Sequence, residues 1–542
     1  MFTKRKALLM GMLFLLLFTS ACGGAAATEA PVSNNDSKNH PPTEEPAAPV
    51  APMPAPVGTT SAPQAEAPMS APDSSTWNWG APPAERQPYD TFFEDYGVNP
   101  SIDTEDDHLS TFALDVDTGS YTIMRNYLKD GFTVPPESVR VEEYVNYFDQ
   151  GYPNPSAHQA FNISIDGAPS PFTQTERYHM LRVGIRGYQV PEYERKDASL
   201  TFVIDVSGSM DMDNRLGLVK RSLELLVEQL GPRDSVSIVV YGTDARVVLD
   251  PTPGSDKGAI LSAIYRLQPE GVTNAEAGIR LGYKMALRAY NPEGINRVIL
   301  CSDGVANFGN TEAEIILDEI RGYVEEGVTM TTIGFGMDNY NDVLMEQLAD
   351  NGDGFYAYVD DMREAQRLFI DNLTSTLQTI AMDAKIQVDF NPEVVARYRL
   401  VGFENRAIAD DDFRDNTVDA GEVGAGHSVT ALYEVKLYPE AYGNIATVYL
   451  RWEDPDTRQV VEMSRDFRVD DLERNFERAD PYFQRAVIVA EYAEILKESY
   501  WADGSSMEDV YREAVRVREY FGRDEDMSEL LELMRRAGHW VD

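Results

Sequence analysis

The stretch Leu200-Thr-Phe-Val-Ile-Asp205-Val-Ser207-Gly-Ser209 decides the fold. It is a near-continuous apolar run of strand length that ends in a carboxylate and two hydroxyls. A strand that is apolar on both faces belongs to a sheet covered on both sides. The polar residues that follow it mark the carboxyl edge, where open α/β sheets place their ligands. Outward from this run, further strands are predicted at 236–241, 245–249, 297–301, 328–334 and 354–359. They alternate with predicted helices at 214–230, 256–267, 275–289, 312–324, 341–349 and 362–380. The alternation predicts an α/β domain over 197–380, a doubly wound, mostly parallel sheet.

Three short segments meet at the predicted edge of that sheet: Asp205-Val-Ser207-Gly-Ser209, Gly271-Val-Thr273-Asn274 and Cys301-Ser-Asp303-Gly. They offer only oxygen donors, which suit a hard divalent ion such as Mg²⁺, Mn²⁺ or Ca²⁺. Two carboxylates and neutral hydroxyls leave such an ion electrophilic, ready for one more anionic oxygen from the Asp or Glu of a protein partner.

The order Asp-x-Ser-x-Ser, distant Thr, distant Asp resembles the metal-ion-dependent adhesion site of the von Willebrand factor type A domain. The resemblance implies that Ser207 and Ser209 bind the metal directly and that Thr273 binds directly or through water. Asp205 and Asp303 are implied to act mainly through water or by holding the direct ligands, with Mg²⁺ the expected ion. Val272 stands where the family often has Gly. The flanks resemble the modules of bacterial lipoproteins that carry this domain. Ser110-Thr-Phe-Ala-Leu-Asp-Val-Asp-Thr-Gly-Ser-Tyr and Arg140-Val-Glu-Glu-Tyr-Val-Asn-Tyr-Phe match on the N-terminal side. Phe390-Asn-Pro, Tyr398-Arg-Leu-Val-Gly-Phe-Glu-Asn-Arg and the stretch from Asp419 to Glu434 match on the C-terminal side. An α+β module is thus expected over 88–196. A β-sandwich-like part followed by helices at 484–498, 507–520 and 527–537 is expected over 381–542.

The chain opens with Lys4, Arg5 and Lys6, an apolar run over 7–18, and Thr19-Ser-Ala-Cys22. These are the parts of a secretory signal, too short for a helical span of ~20 residues. Small residues before a cysteine resemble the bacterial lipobox, although Thr19 stands where Leu is usual. The resemblance implies a signal peptide over 1–21, a diacylglycerol on Cys22, and an extracytoplasmic protein anchored to the cell membrane by lipid alone. Over 22–87 follows a Pro/Ala-rich tether, with 13 of the chain's 31 prolines between Pro31 and Pro83. Such a segment buries too little apolar surface to fold. At ~3.1 Å per residue it reaches roughly 100 Å or more.

Across 542 residues, 90 Asp plus Glu against 47 Lys plus Arg give a formal charge of −43, which repels phosphate backbones and argues against nucleic-acid binding. Two cysteines, Cys22 and Cys301, leave no disulfide framework or Cys-rich zinc site. Asp117-Thr-Gly-Ser spells the aspartic protease tetrapeptide, but that chemistry needs two carboxylates sharing a proton and no second copy occurs. A strand end followed by a helix cap is expected there instead. Cys301 reads as a buried small hydrophobe, and His427 as a lone imidazole in a Gly-rich turn. No catalytic pair is visible, so an enzyme is not expected. Two readings remain: a binding module with an open metal site, and an envelope scaffold whose site is filled by an Asp or Glu of its own flanks.

Overall fold

Ala198–Asp205 is a fully buried strand at the centre of a six-stranded sheet in the computed structural model. The structure describes residues 91–156, 159–173, 177–212, 215–304, 310–337 and 340–538. The predicted signal peptide, Cys22 and the tether lie outside the described residues. Across the sheet the order is Tyr356–Tyr358, Thr329–Gly334, Ile295–Ser302, Ala198–Asp205, Ser235–Tyr241, Ala245–Pro253. All neighbours are parallel except the last pair, a hairpin.

Alternation along the central strand divides the core. Leu200, Phe202 and Ile204 pack with Val219, Leu223, Ile260 and Phe369. Val203 faces the other way, among Ile279, Tyr283 and Leu344. Each such buried side chain contributes about 1.5–3 kcal/mol, which is why the apolar run must lie between two helical layers. Helices Leu216–Gln229 and Lys257–Tyr265 belong to the first layer, Ala275–Arg288 and Asp342–Asp350 to the second. The α/β class expected from the sequence is the one found.

The helix expected over 362–380 is broken. It runs as Met362–Gln366, a π-helical turn at Arg367–Asp371, then Leu373–Leu377, and from Thr379 the chain is already a strand.

The stretches before and after the central domain build one sandwich together. One sheet has the order Ile102–Asp103, Val395–Val401, Ser428–Leu437, Tyr178–Gly187, Phe161–Pro169. The other runs Gly421–Gly424, Thr379–Phe390, Asn444–Glu453, Val460–Arg468, with Leu109–Ala113 also paired to Thr379–Phe390. Phe112, Phe161, Ile163 and Val183 from the first stretch share a core with Ile386, Val388, Tyr433 and Trp452 from the second. The central domain is therefore inserted into a sandwich whose strands come from both sides of it.

Helices Pro481–Leu496, Met507–Phe521 and Glu525–Ala537 close the fold. Fully buried Arg125, on helix Gly119–Lys129, ties three segments together. It donates to both carboxylate oxygens of Asp360 at 2.8 and 2.5 Å, to Glu364 at 3.0 Å and to Glu529 at 3.1 Å. Among the described residues no helix is long and apolar enough to cross a membrane.

Candidate metal centre

Asp205 ends the central strand and has no exposed surface. Its Oδ1 accepts the Ser207 N–H at 2.7 Å, and its Oδ2 accepts the Ser302 hydroxyl at 3.1 Å. The chain then enters the turn Gly208–Met210, which leaves the Ser207 and Ser209 hydroxyl oxygens 3.0 Å apart. Two backbone bonds stitch the next loop to this turn: Gly208 N–H donates to the Gly271 carbonyl at 3.1 Å, and Glu270 N–H to that of Val206 at 2.5 Å. Thr273 follows on that loop, half-buried, and Asn274 caps helix Ala275–Arg288 by accepting from the Ala277 N–H. Asp303, just beyond strand Ile295–Ser302, is buried and accepts from Arg215 Nη1 at 2.7 Å.

Four of the five predicted donors are thus linked by hydrogen bonds directly or through Ser302 and Arg215, and the loop of the fifth is held against them. The floor is buried and carboxylate-bearing, while Ser209, Met212 and Val272 on the rim are exposed. Burial and the charge of Asp303 push the Asp205 carboxyl up to about 6, against hydrogen bonds from Ser207 and Ser302 that favour its ionised form. Burial also raises Asp303, opposed by Ser209 and the Arg215 guanidinium. A carboxylate kept in that setting gains from a nearby cation. The donor set suits Mg²⁺: all ligand atoms are oxygens, and bonds of about 2.1 Å at right angles need neighbours about 3.0 Å apart. The Ser207–Ser209 separation meets that spacing.

Sequence reasoning singled out neither Ser302 nor Arg215. Ser302 sits between two residues the motif names. Arg215 carries no local signal, because its partner lies 88 positions away.

The other conspicuous residues have different surroundings. Asp117 is buried and accepts the Tyr356 N–H at 3.0 Å, so it fastens the edge strand of the central sheet. Thr118 precedes helix Gly119–Lys129, although its side chain makes no capping bond. Asp115, Asp117 and Glu346 cluster tightly, with Arg406 among them at 3.0, 3.6 and 2.7 Å. Asp353, Asp419 and Glu422 form a second carboxylate group, at the opposite end of the central sheet. Cys301 is fully buried and its thiol is pushed up by burial. Burial lowers His427 to about 4, so it stays neutral.

Comparison with known families agrees with the α/β fold of the central domain. Residues 199–371 match the model of the von Willebrand factor type A domain. This segment is a von Willebrand factor type A domain. Residues 87–181 match a model described as von Willebrand factor, and residues 375–539 one described as Uncharacterized protein YfbK, C-terminal. The chain is 39% identical over 352 residues to Uncharacterized protein YfbK of Escherichia coli (strain K12), covering 64% of this chain and 61% of that one. It is 26% identical over 216 residues to human inter-alpha-trypsin inhibitor heavy chain H3, covering 38% of this chain and 22% of that one. The chain thus spans less than two thirds of either relative. Among solved structures, a von Willebrand factor type A protein from Catenulispora acidiphila is similar at 16% identity and a TM-score of 0.45, over 72% of this chain and 91% of that one.

Proposed function

We propose that the chain is an extracytoplasmic, lipid-anchored binding module that engages an Asp or Glu of a protein partner at a divalent-metal centre. Asp205, Ser207, Ser209, Thr273 and Asp303 would hold the ion, with Mg²⁺ favoured over Mn²⁺ and Ca²⁺. The observation that carries this reading is the contrast on the A domain between a floor where Asp205, Asp303 and Ser207 are buried and a rim where Thr273 is half-buried and Ser209 exposed. When bound, the ion supplies an electrophile with a position left for a carboxylate oxygen. Ser207 and Ser209 would offer their oxygens to the ion, Asp205 fixes the turn that carries them through the Ser207 N–H, and Asp303 holds Arg215. Exposed Met212 and Val272 give a partner apolar surface around the polar contact. Among the described residues, the hydrogen bonds of Asp205, Ser207 and Ser209 stay within the A domain, and no carboxylate of the sandwich or terminal helices takes part. That favours an open site over a scaffold that fills its own.

The anchor part of the proposal rests on Lys4–Lys6, the apolar run and Cys22. Cys22→Ser should leave the protein unlipidated and released from membranes; equal processing and retention would refute the anchor.

The metal part is tested by thermal unfolding with Mg²⁺ or Mn²⁺ against chelator. An ion at 100 times its dissociation constant adds ~2.7 kcal/mol to stability. The variant Ser207→Ala/Ser209→Ala removes two oxygens without adding bulk. It should fold, lose the metal-induced rise in Tm, and lose metal-dependent capture of envelope proteins. A variant that keeps the rise would put the ion elsewhere.

A further inference from the structure

We propose that a cavity of about 350 Å³ between the sandwich and the A domain is a second site, which takes a small organic carboxylate with an apolar body. Arg186, on strand Tyr178–Gly187, and His427, just before strand Ser428–Leu437, line it from the sandwich. Phe355 and Leu368 line it from the A domain. None of Asp205, Ser207, Ser209, Thr273 and Asp303 takes part, so this site does not rest on the metal reading. Its volume is that of a small-molecule pocket, a class that is mostly apolar with a few convergent polar groups.

The polar group without a counterpart is Arg186. Its Nη1 donates to the Ser428 hydroxyl at 2.8 Å, its Nε is buried with no acceptor, and among the described residues no carboxylate pairs with it. The guanidinium is thus partly stripped of water without a counter-charge, which strengthens its pull on an anion in the cavity. The other charged side chains there have partners. Glu364 accepts from Arg125 at 3.0 Å, Arg367 donates to Asp526 at 2.7 Å, and exposed Asp149 accepts the Gly151 N–H at 3.1 Å. Burial, then the charges of Arg186 and Arg297, hold His427 down at about 4, so it adds no positive charge at neutral pH. One uncompensated guanidinium in a chain of formal charge −43 selects an anion, and its planar fork matches a carboxylate. The rest of the wall is apolar or aromatic. The His427 ring stands edge-on to Phe355, with centroids 6.3 Å apart, and its Nδ1 is buried without a partner. Leu368 sits on the π-helical turn Arg367–Asp371, a rare departure from the α-helix that recurs at functional sites.

The test measures binding to the full chain by calorimetry at neutral pH with chelator present. Its probes are benzoate, the neutral benzamide of similar shape, and sulfate. The wild type should bind benzoate about tenfold or more tightly than benzamide, as one hydrogen bond to a charged group implies, and more tightly than sulfate. Arg186→Gln should bind benzoate no better than benzamide. Equal wild-type affinities for benzoate and benzamide, or no binding of either, overturn the proposal. Undiminished benzoate binding in Arg186→Gln overturns it too, because the anion would then sit elsewhere. Sulfate bound as tightly as benzoate overturns the organic class of the ligand. Crystals of the wild type grown with benzoate give a readout that needs no variant, should Arg186→Gln fail to fold. The carboxylate on Arg186 and the ring against Phe355 support the site; benzoate bound only elsewhere, or not at all, overturns it.

Discussion

Asp353 lies in the loop before strand Tyr356–Tyr358, at φ 45°, beside the carboxylates of Asp419 and Glu422. Burial, then the charges of Asp419 and Asp383, push its carboxyl up to about 7. In an unfolded chain that group titrates near ~3.9. The fold thus favours the protonated form, so its contribution to stability is fullest below pH ~4 and is lost as the pH rises through 7. Asp353→Asn should raise the unfolding free energy from urea titration at pH 8 by about 1–2 kcal/mol after allowing for solvent screening, and have little effect near pH 4. Asn also tolerates a positive φ, but that gain would not vary with pH. A pH-independent effect would show that charge is not the cause. At this scale the five proposed donors could be picked from the sequence because their types and order suit a hard ion, and the structure joins four of them in one hydrogen-bonded group. Arg215 was not, since an arginine at a helix start looks like any solvated charge until the fold brings it to Asp303. The Asp353 group was equally hidden, Asp353 being 66 positions or more from Asp419 and Glu422 in sequence.

Helix Ala275–Arg288 carries the Thr273 loop at its start and crosses the central strand closely enough that Gly282 has no room for a side chain. A Cβ there would lie 2.3 Å from Val203 Cγ2, and Val203 is two residues before Asp205. Valine is stiff at χ1 and cannot swing aside. Gly282→Ala gains ~1 kcal/mol of helix propensity but forces overpacking of ~1–3 kcal/mol. We expect net destabilisation of about 1 kcal/mol in urea unfolding, with weaker Mn²⁺ binding because both loops of the centre move. Gly322, on helix Asn310–Glu325, meets nothing within 4 Å. Gly322→Ala should stabilise by up to ~1 kcal/mol and leave Mn²⁺ binding alone. Opposite signs at the two glycines are the expected result; stabilisation at both would mean the helix can lift off the sheet. The existence of these elements was legible from periodicity, while their ends were less so. Over 362–380 an apolar helical spacing continues past Asn372-Leu-Thr-Ser-Thr, residues whose hydroxyl and amide groups compete for backbone bonds. Thr376 donates to the Leu368 carbonyl at 3.2 Å, and Thr379 already pairs with Gly424. Tertiary pairing with a strand far along the chain ended that helix, and no local signal carries it.

The interleaved sandwich was the least legible feature, because pairing of Leu109–Ala113 with Lys385–Asp389 is set by no spacing within either segment. Its consequence is that the segment matched as a C-terminal module, 375–539, lacks about a quarter of the buried residues of its core. Alone it would lose Phe112, Phe161, Ile163, Leu181, Val183 and Ile185 from the shared interior. At about 1.5–3 kcal/mol per buried side chain the loss reaches roughly 9–18 kcal/mol, comparable to the whole ~5–15 kcal/mol by which a domain is stable. It would also leave both Ser428–Leu437 and Thr379–Phe390 with an unpaired edge, a template for aggregation. Residues 375–539 produced alone should therefore show no cooperative urea transition and little near-UV circular dichroism from Trp452. In the intact chain that indole is 5% exposed, edge-on to Phe161 with centroids 4.9 Å apart. Adding residues 88–196 as a separate chain should restore the Trp452 signal, since it supplies the missing strands and Phe161 itself. A sharp transition and an ordered Trp452 in the isolated segment would mean that the C-terminal strands close a core without the N-terminal ones.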